Sequence, residues 1–449
     1  MPQGQSLPAA RPDKVLQLQR KLFLAAKRSE TRRFHALYDR ITRSDVLWEA
    51  WLRVKANRGA AGIDQQTLAD IEETGEARFI LELQQQLQRS RYRPQPVKRV
   101  LIPKADGRQR PLGIPTIRDR VVQMATKLVI EPVFEADFEP CSYGFRPLRS
   151  AHDALREVRR IANWGYGFVL DADIVGFFDH IDQDILMVRL QKRISDRRVL
   201  KLLRQWLQAG VMEGGKLIPT RNGTPQGGVI SPLLANVYLH ILDHNWNQRC
   251  TTIGKLIRYA DDFVILTKNR NQLAEAQRRV NIILQKLKLE LHPEKTRQLT
   301  IKAGQEGLDF LGFHLHNRPS TRYAGRDCLY MWPSLSAMKD FRQSIREVLG
   351  NPSWLRASLA DIVRHLNPRL RGWYQYFRIG NSGKKFDSIE RYLRYRVSKY
   401  LQTKHKRRWF KLLHTSEVEK MGFYSLLTGV SYDGRTPCKL QAEGGRKAG

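Results

Sequence analysis

Apolar residues along this chain follow two spacings, one typical of β-strands and one typical of α-helices. Residues 93–116 (RPQPVKRVLIPKADGRQRPLGIPT) predict two short strands joined by a turn at residues 105–107, where Ala-Asp-Gly favours a hairpin. Residues 167–174 (GFVLDADI) and 256–266 (LIRYADDFVIL) are also rich in β-branched and aromatic side chains. We therefore predict strands in both segments.

Helices are predicted before and between these strands. A helical region spans about residues 45–87, and a further helix begins near Asp182. Ser231 and Pro232 predict another start, with Ser231 as the N-cap and proline in the first turn. A later helix runs from Asn271 to about Leu289. This order predicts an α+β domain in which helices pack on one face of a sheet.

The pattern changes towards both ends of the chain. Residues up to about Ser44 predict a basic amphipathic helix, which we interpret as an RNA-docking arm; its apolar positions are Val15, Leu18, Leu22 and Leu24. Residues 317–334 are predicted to form a linker. Beyond it, Asn367-Pro368 predicts the start of a helix with one apolar face, made by Leu370, Trp373, Tyr374 and Phe377.

The charge balance indicates a polyanionic partner. The chain has 78 Lys plus Arg against 44 Asp plus Glu, a net charge of +34. Such a surplus disfavours compaction unless a polyanion compensates it, and nucleic acid is the partner we expect. Residues 391–411 contain no acidic residue, only Arg and Lys among Tyr, Trp and Phe, as in a groove that binds nucleic acid and stacks bases.

Other classes of protein fit the composition less well. We find no apolar run of the roughly 18 residues needed to cross a bilayer and no signal-peptide pattern, so no membrane partner is expected. The four cysteines form no CxxC pair, which argues against a zinc ribbon and a disulfide framework. We expect an intracellular, cytoplasmic protein.

Asp261 and Asp262 stand side by side in a segment that is otherwise apolar. Taken alone, the pair could be a simple turn between two strands. A further carboxylate lies upstream in VLDADIVGFFDHID, at the end of a predicted strand. If that strand lies beside the Asp261–Asp262 hairpin, three carboxylates converge at one sheet edge, an arrangement suited to two Mg²⁺ ions.

Two further segments carry features of a phosphate-handling site. TPQGGVISP (224–232) places glycines just before a helix N-terminus, where backbone can approach a ligand closely. Lys104 and Arg110 lie on opposite arms of the 93–116 hairpin, where they could hold a triphosphate. Each feature alone has a structural explanation, as a turn, a solvated charge pair or a helix cap.

The motifs together resemble the reverse transcriptases encoded by group II introns, also called intron maturases. The resemblance covers about residues 45–410 and is carried by IPKADGRQRPLGIPT, SYGFRP, DIVGFFDHID, GTPQGGVISPLLANVYL, RYADDFVIL, LHPEKT, FLGF and LRGWYQYF. It implies an α+β right-hand polymerase fold of fingers and palm, followed by an α-helical thumb/X domain and a basic C-terminal DNA-binding segment. It further implies two Mg²⁺ ions, for which Mn²⁺ can substitute.

The resemblance also implies roles for individual residues. The metal-binding and catalytic aspartates fall on Asp173, Asp261 and Asp262, with the Ile174 carbonyl as a further ligand and Lys295 as proton donor to pyrophosphate. The expected nucleotide-binding residues, including the aromatic that rejects a 2′-hydroxyl (Phe178), are Lys104, Arg110, Phe178, Gln226 and Gly227. Leu311, Gly312 and Phe313 match the primer grip. The C-terminal residues expected to bind nucleic acid are Lys404, Lys406, Arg407 and Arg408.

We expect residues 1–44 to be a basic extension, 45–316 the fingers and palm, 317–334 the linker, 335–397 the thumb/X domain and 398–449 the DNA-binding segment and tail. Many relatives carry a C-terminal HNH endonuclease with paired cysteines; we expect none here, so cleavage of a second DNA strand is not expected.

The expected function is RNA-directed DNA polymerisation, with binding of intron RNA to assist splicing and to support intron mobility by target-primed reverse transcription. The expected partners are intron RNA, an RNA template with a DNA primer, target DNA and dNTPs. Alternatives are a retron-type or diversity-generating reverse transcriptase, a domesticated enzyme of DNA repair or phage defence, and a non-polymerising RNA-binding splicing factor. Ser231-Pro232 disfavours the diversity-generating class, which usually has SQ there, and the intact Asp173, Asp261 and Asp262 disfavour the splicing factor.

Overall fold

The computed structural model describes residues 12–103, 109–220, 222–224, 227–320, 325, 327–406 and 408–427. Lys104, Gln226 and Arg407, three of the expected site residues, lie outside the described residues. No helix within the described part of the chain is long and apolar enough to cross a membrane.

Groups of helices and strands follow one another between residues 97 and 333, and the described parts before and after them are helical. The α-helices are α1 (Pro12–Lys27), α2 (Tyr38–Ile41), α3 (Ser44–Ala56), α4 (Leu68–Thr74), α5 (Glu76–Gln88), α6 (Ile117–Glu135), α7 (Ala151–Ala162), α8 (Phe177–His180), α9 (Gln183–Gln191), α10 (Arg197–Gln208), α11 (Ser231–Arg249), α12 (Arg270–Lys286), α13 (Leu335–Leu349), α14 (Leu359–Phe377), α15 (Gly383–Lys404) and α16 (Thr415–Lys420). The strands are β1 (Val97–Pro103), β2 (Gln109–Ile114), β3 (Phe168–Ala172), β4 (Val211–Glu213), β5 (Lys216–Ile218), β6 (Lys255–Tyr259), β7 (Asp262–Thr267), β8 (Arg297–Thr300), β9 (Leu308–Phe310), β10 (Phe313–Pro319) and β11 (Asp327–Pro333).

The strands form three sheets, with the strand orders β2-β1-β4-β5, β6-β7-β3-β8 and β11-β10-β9. The predicted hairpin of residues 93–116 is confirmed, since β1 and β2 pair antiparallel up to Pro103 and Gln109. The β6–β7 hairpin around Asp261 is confirmed as well. In both segments two strands that are close along the chain pair with each other, as the local sequence pattern predicts.

The sheet β6-β7-β3-β8 has core residues on both faces. Phe263 and Ile265 of β7 belong to one core, which includes residues of α11 and α12, while Val264 and Leu266 belong to another, which includes residues of α7. Alternate side chains of a strand point to opposite faces, so both faces of β7 are buried. The expectation of helices on one face only is therefore wrong.

The N-terminal helix α1 packs one of its faces against the rest of the protein, so it is not a free arm. Val15, Leu18 and Leu22 of α1 are buried, while Leu24 remains 42% exposed. The backbone carbonyl of Leu128 in α6 accepts a hydrogen bond from the Gln19 side chain at 3.0 Å. Most of the apolar stripe of α1 is thus used for packing, while its basic residues Arg20 and Lys21 are exposed together with Leu24.

Two helix starts differ from the prediction. Ser231 is the first helical residue of α11, and Ile230 holds the N-cap position without a side-chain cap; Pro232 does lie in the first turn. The backbone amide of Ser231 already donates to the Gly228 carbonyl at 3.2 Å, so the chain turns before the serine. The helix α12 begins at Arg270, with the Asn269 side chain as its cap.

The helix predicted to start at Asn367-Pro368 begins earlier, at Leu359, and Pro368 lies inside α14. Ser358 and Asp361 form a capping box at its start, a stronger N-terminal signal than the proline. Buried residues on both sides of Pro368, from Ile362 to Phe377, hold the helix together although the proline removes one backbone hydrogen bond.

The prediction of a linker at residues 317–334 is wrong for most of the described residues in this range. It contains the end of β10 and all of β11, which pair antiparallel from Phe313–Pro333 to Pro319–Asp327. Leu315, Leu329 and Met331 are buried in the same core as α13, α14 and α15. Burial against these helices stabilises a hairpin whose sequence looks loose when it is considered alone.

Candidate active site

The pairing of β3 with β7 brings the three expected aspartates to one end of a sheet. The strands run antiparallel with Ala172 opposite Phe263, while Tyr259 of β6 lies opposite Asp262. Asp173 follows the last residue of β3, Asp261 lies in the turn, and Asp262 is the first residue of β7. The condition that the two predicted strands are neighbours is therefore met.

The carboxylates at this end of the sheet repel one another. Loss of hydration raises the pKa of Asp262 to about 6, with further upward contributions from Asp261, Asp173 and Asp171, although Asp262 keeps one side open to solvent. Burial, followed by the charge of Asp173, also raises the pKa of Asp261. The site thus disfavours its own negative charge, and a bound cation would relieve this.

Lys295 and Arg297 place positive charge beside these carboxylates. The Lys295 ammonium lies 2.5 Å from Asp173 Oδ2, and Arg297 Nη2 lies 3.3 Å from Asp171 Oδ2. The backbone amide of His292 donates to the Asp173 carbonyl at 2.8 Å, which fixes the segment LHPEKT next to the site. Burial raises the pKa of Asp171 to about 6 even with Arg297 beside it.

The donor set fits hard divalent cations, because every side-chain ligand offered is a carboxylate oxygen. Asp173, Asp261 and Asp262 would hold the ions. Ile174, which is buried and bridges to Leu291, follows Asp173 and would add its carbonyl. In the described chain no three Asp, Glu, His or Cys side chains already form a closed metal cluster. Lys295 instead carries the compensating charge at Asp173.

Phe178 and Phe177 differ in their surroundings. Phe177 is 2% exposed and fills the core, whereas Phe178 is partly exposed and meets Phe177 edge to face at 5.2 Å. The backbone carbonyl of Phe178 accepts from the Thr224 amide at 2.8 Å, and a Cβ on Gly223 would lie 2.7 Å from that carbonyl. The glycine-rich loop and the Phe178 turn are therefore held together.

The other expected nucleotide-binding residues lie near this loop where the structure describes them. Gly227 has a φ of +106°, and a Cβ there would lie 2.5 Å from the Gly113 carbonyl of β2. Arg110 of β2 is exposed, and its positive charge offsets a small part of the rise that burial causes in the pKa of Asp261. The β1–β2 hairpin therefore lies against the glycine-rich loop at Gly227.

A buried network under the Asp261 turn was missed by sequence reasoning. Arg258 and Asp243 are both fully buried, and Arg258 Nε donates to Asp243 Oδ1 at 2.8 Å. Arg258 also donates to the Ala260 carbonyl at 2.7 Å and to Ser142 Oγ at 2.6 Å. The sequence did contain a signal for this network: Arg258 lies inside the apolar strand segment LIRY, and a buried charge requires a partner.

This network also explains the segment SYGF. The backbone amide of Tyr143 donates to the Arg258 carbonyl at 2.8 Å, and Gly144 lies so close to the Ala260 backbone that a Cβ would overlap it. Ala260 itself has a φ of +59°, a conformation that a non-glycine residue seldom adopts. The segment and Arg258 therefore hold a strained turn in place directly before Asp261.

Two of the expected primer-grip residues, Leu311 and Gly312, form the turn between β9 and β10, and the third, Phe313, is the first residue of β10. Leu311 and Gly312 have φ values of +49° and +76°, and Phe313 is fully buried. The Tyr376 hydroxyl of α14 donates to the Leu311 carbonyl at 2.8 Å, and the Ser334 amide donates to the Gly312 carbonyl at 2.9 Å. The turn is thus fixed to the C-terminal helices.

The C-terminal basic residues are not equivalent. The amino group of Lys404 donates to the Ala357 carbonyl and lies 5.7 Å from the centre of the Tyr400 ring. Lys406 is exposed, with a φ of +49°, and Arg408 lies 5.8 Å from the ring centre of Trp409, which is 79% exposed. Lys404 is therefore held by its own chain more firmly than Lys406.

Two protein-family models match parts of this chain. A family model described as reverse transcriptase (RNA-dependent DNA polymerase) matches residues 102–315, and one described as the group II intron maturase-specific domain matches residues 338–415. The first range contains every aspartate of the site, Lys295 and the turn at Gly312.

Three relatives illustrate the similarity. Protein YkfC of Escherichia coli (strain K12) is 34% identical over 376 residues, covering 75% of this chain and 96% of that protein. Group II intron-encoded protein LtrA of Lactococcus lactis subsp. cremoris is 29% identical over 459 residues, covering 83% and 75%. Nuclear intron maturase 1, mitochondrial, of Arabidopsis thaliana is 36% identical over 114 residues, covering 25% and 16%.

Proposed function

This chain belongs to the family of group II intron-encoded reverse transcriptases and maturases, and we propose that it is an RNA-directed DNA polymerase that also binds intron RNA. The observation that carries the proposal is the pairing of β3 with β7, which sets Asp173 beside Asp261 and Asp262. A protein that only bound RNA would have no use for carboxylates that repel one another at a solvent-accessible sheet edge.

The residues of the site would have separate roles in nucleotidyl transfer. Asp173, Asp261 and Asp262, with the Ile174 carbonyl, would hold two Mg²⁺ ions. When bound, these ions would supply Lewis-acid activation of a primer 3′-hydroxyl and stabilisation of charge on the α-phosphate. Mn²⁺ has similar ligand preferences and would substitute. Lys295, already bonded to Asp173, would donate a proton to the departing pyrophosphate.

The surrounding residues would select and position the substrates. Phe178, partly exposed beside the Gly223 loop, would contact the sugar and exclude a 2′-hydroxyl. Lys104 and Arg110 would bind the triphosphate, and Gln226 and Gly227 would line the nucleotide pocket. Leu311, Gly312 and Phe313 would hold the primer strand. The effect of the Arg110 charge on the pKa of Asp261 supports this assignment for Arg110.

The basic surfaces would bind nucleic acid outside the catalytic site. We propose that intron RNA is bound to assist splicing, and that target DNA is engaged for target-primed reverse transcription. The match of residues 338–415 to the maturase-specific domain and the net charge of +34 support the RNA role. We assign the thumb/X domain to residues 335–397 and DNA contacts to residues 398–449, in a protein that acts inside the cell and near the nucleoid.

Extension of a DNA primer on an RNA template tests the polymerase directly. The purified protein should extend the primer with dNTPs in the presence of Mg²⁺, and added chelator should stop the reaction. Filter binding to the host intron RNA, with an unrelated structured RNA as control, tests the maturase role separately. A protein that binds the intron RNA tightly but extends no primer would be a splicing factor and not a polymerase.

A further inference from the structure

Three aromatic residues occupy every second position of the segment Trp164–Phe168 (WGYGF), which links α7 to β3. Each of the three rings lies beside a cation from a different part of the chain. The ring centres are 3.9 Å from Arg160 for Trp164, 5.2 Å from Lys268 for Tyr166 and 4.8 Å from Lys302 for Phe168. We call these six residues the aromatic–cation patch.

Two glycines let the segment adopt this arrangement. Gly165 has a φ of +89°, which turns the chain between Trp164 and Tyr166. A Cβ on Gly167 would lie 3.1 Å from the side chain of Lys302, so the missing side chain leaves room for that lysine. The Ile301 amide also donates to the Gly167 carbonyl at 3.0 Å, which fixes Lys302 next to the segment.

The patch is open to a partner and carries uncompensated positive charge. Trp164 is 43% exposed, and Tyr166 and Phe168 are partly exposed. Arg160 is neutralised by Glu157, with Nε 2.7 Å from Oε2. Lys268 and Lys302 are exposed, and their amino groups form no ion pair with any carboxylate of the described chain. The exposed area of these rings, which is largest on Trp164, is available for stacking by a base.

The patch lies at the opposite end of β3 from the aspartates. Phe168 begins β3 and pairs with Thr267 and Thr300, whereas Asp171 lies near the other end of the strand. The strand advances about 3.3 Å per residue, so about 13 Å separates Phe168 from Ala172. A primer terminus at Asp173 and a ligand on the patch would thus occupy different places on the sheet.

We propose that the aromatic–cation patch binds single-stranded RNA. Unpaired bases would stack on Trp164 and Tyr166, and backbone phosphates would contact Lys268 and Lys302. Duplexes do not suit such a surface because their bases are already stacked and paired. The inference rests on the RNA-binding part of the proposed function and is independent of polymerisation.

Binding of the full-length protein to a short unstructured RNA, such as an oligouridine of about 12 nucleotides, tests the proposal. The double variant Trp164→Ala/Tyr166→Ala should bind at least about ten-fold more weakly, because the bases no longer stack on the two rings. Trp164→Phe/Tyr166→Phe, which keeps two rings, should recover most of the affinity. Melting curves would verify that each variant is folded.

The lysines provide an independent measurement. Lys268→Gln/Lys302→Gln should flatten the dependence of log affinity on log salt by about 1.4, since each phosphate bound on a single strand contributes about 0.7. The control Lys192→Gln/Lys286→Gln removes the same charge from two exposed lysines on other elements and should leave the slope close to that of the wild type.

The outcomes separate this proposal from the proposed function. If wild-type protein binds the RNA and the patch variants bind it equally well, the patch is only a surface feature. Equal losses for RNA and for single-stranded DNA of matched sequence would overturn the assignment to RNA. A wild-type protein that binds neither this RNA nor intron RNA would contradict the RNA-binding function itself, whatever its activity in primer extension.

Discussion

The Lys295 ammonium lies 2.5 Å from the Asp173 carboxylate, although the two residues are 122 positions apart in the chain. The backbone amide of His292 also donates a hydrogen bond to the Asp173 carbonyl at 2.8 Å, which holds the segment that carries Lys295 next to Asp173. Lys295 thus balances the charge of an expected metal ligand, and we propose that it also protonates the leaving group.

Substitution of Lys295 should separate these two roles. Lys295→Met should slow primer extension by roughly 10²- to 10⁴-fold if the lysine is the proton donor. Lys295→Arg keeps the charge but releases a proton poorly, so it should remain slow. Single-turnover extension measures both variants. Near-wild-type rates for Lys295→Arg, with slow Lys295→Met, would show that the charge alone matters.

Removal of one carboxylate charge from the site should abolish most of the activity. Asp262→Asn or Asp261→Asn should lower the extension rate by roughly 10³-fold or more, because the ions are then held by fewer carboxylates. Binding of intron RNA on the same preparations should persist. Asp184→Asn is the matched control, since its side chain is 94% exposed in the first turn of α9. Efficient extension by the Asp262 variant would contradict the site assignment.

The neighbouring phenylalanines should behave differently. Phe178→Val should admit ribonucleotides, lowering discrimination against them by roughly ten- to a few-hundred-fold, with deoxynucleotide incorporation largely kept. Phe177→Val should instead lower the melting temperature, because Phe177 fills the core. Competition between dNTPs and rNTPs and a melting curve for each variant make the comparison. Destabilisation of Phe178→Val with no change in sugar preference would identify it as core filler.

The buried pair Arg258–Asp243 should matter for stability and for the turn before Asp261. Arg258→Met leaves Asp243 buried without its partner, and we expect the unfolding free energy to fall by about 3–5 kcal/mol. The double variant Arg258→Met/Asp243→Leu should recover part of that stability, because no unpaired charge remains. Urea unfolding provides the measurement. A cost below about 1 kcal/mol for the single variant would mean that the pair adds little.

If the C-terminal cations contact phosphates, they should contribute to the salt dependence of nucleic-acid affinity. Neutralising Lys404, Lys406, Arg407 and Arg408 together should flatten the salt dependence of nucleic-acid binding by roughly 0.7–0.9 for each phosphate that the protein no longer binds. Lys404→Gln alone should have a smaller effect than Lys406→Gln, because the Lys404 amino group already binds the Ala357 carbonyl. An unchanged slope in the quadruple variant would leave these cations as a solvated surface.

The sequence by itself determined the features that depend on near neighbours. The β1–β2 hairpin, the β6–β7 hairpin and the approximate course of α12 all follow from alternation, turn residues and helical spacing within a short window. Asp182 was also expected near a helix start, and its side chain does cap α9 through the Ile185 amide at 2.9 Å. These signals are local because the hydrogen bonds that form them are local.

The tertiary structure decided which of these pieces lie together. Three contacts join separate segments of the chain, so no local sequence pattern predicts them. They are the pairing of β3 with β7, the interaction of Lys295 with Asp173 and the burial of Arg258 against Asp243. The β10–β11 hairpin was missed because its burial against other elements outweighs local propensity. The start of α14 does carry a local signal, the Ser358–Asp361 capping box, but the prediction relied on Pro368 instead. The carboxylates could be named from the chain, but only the sheet brings them to one edge.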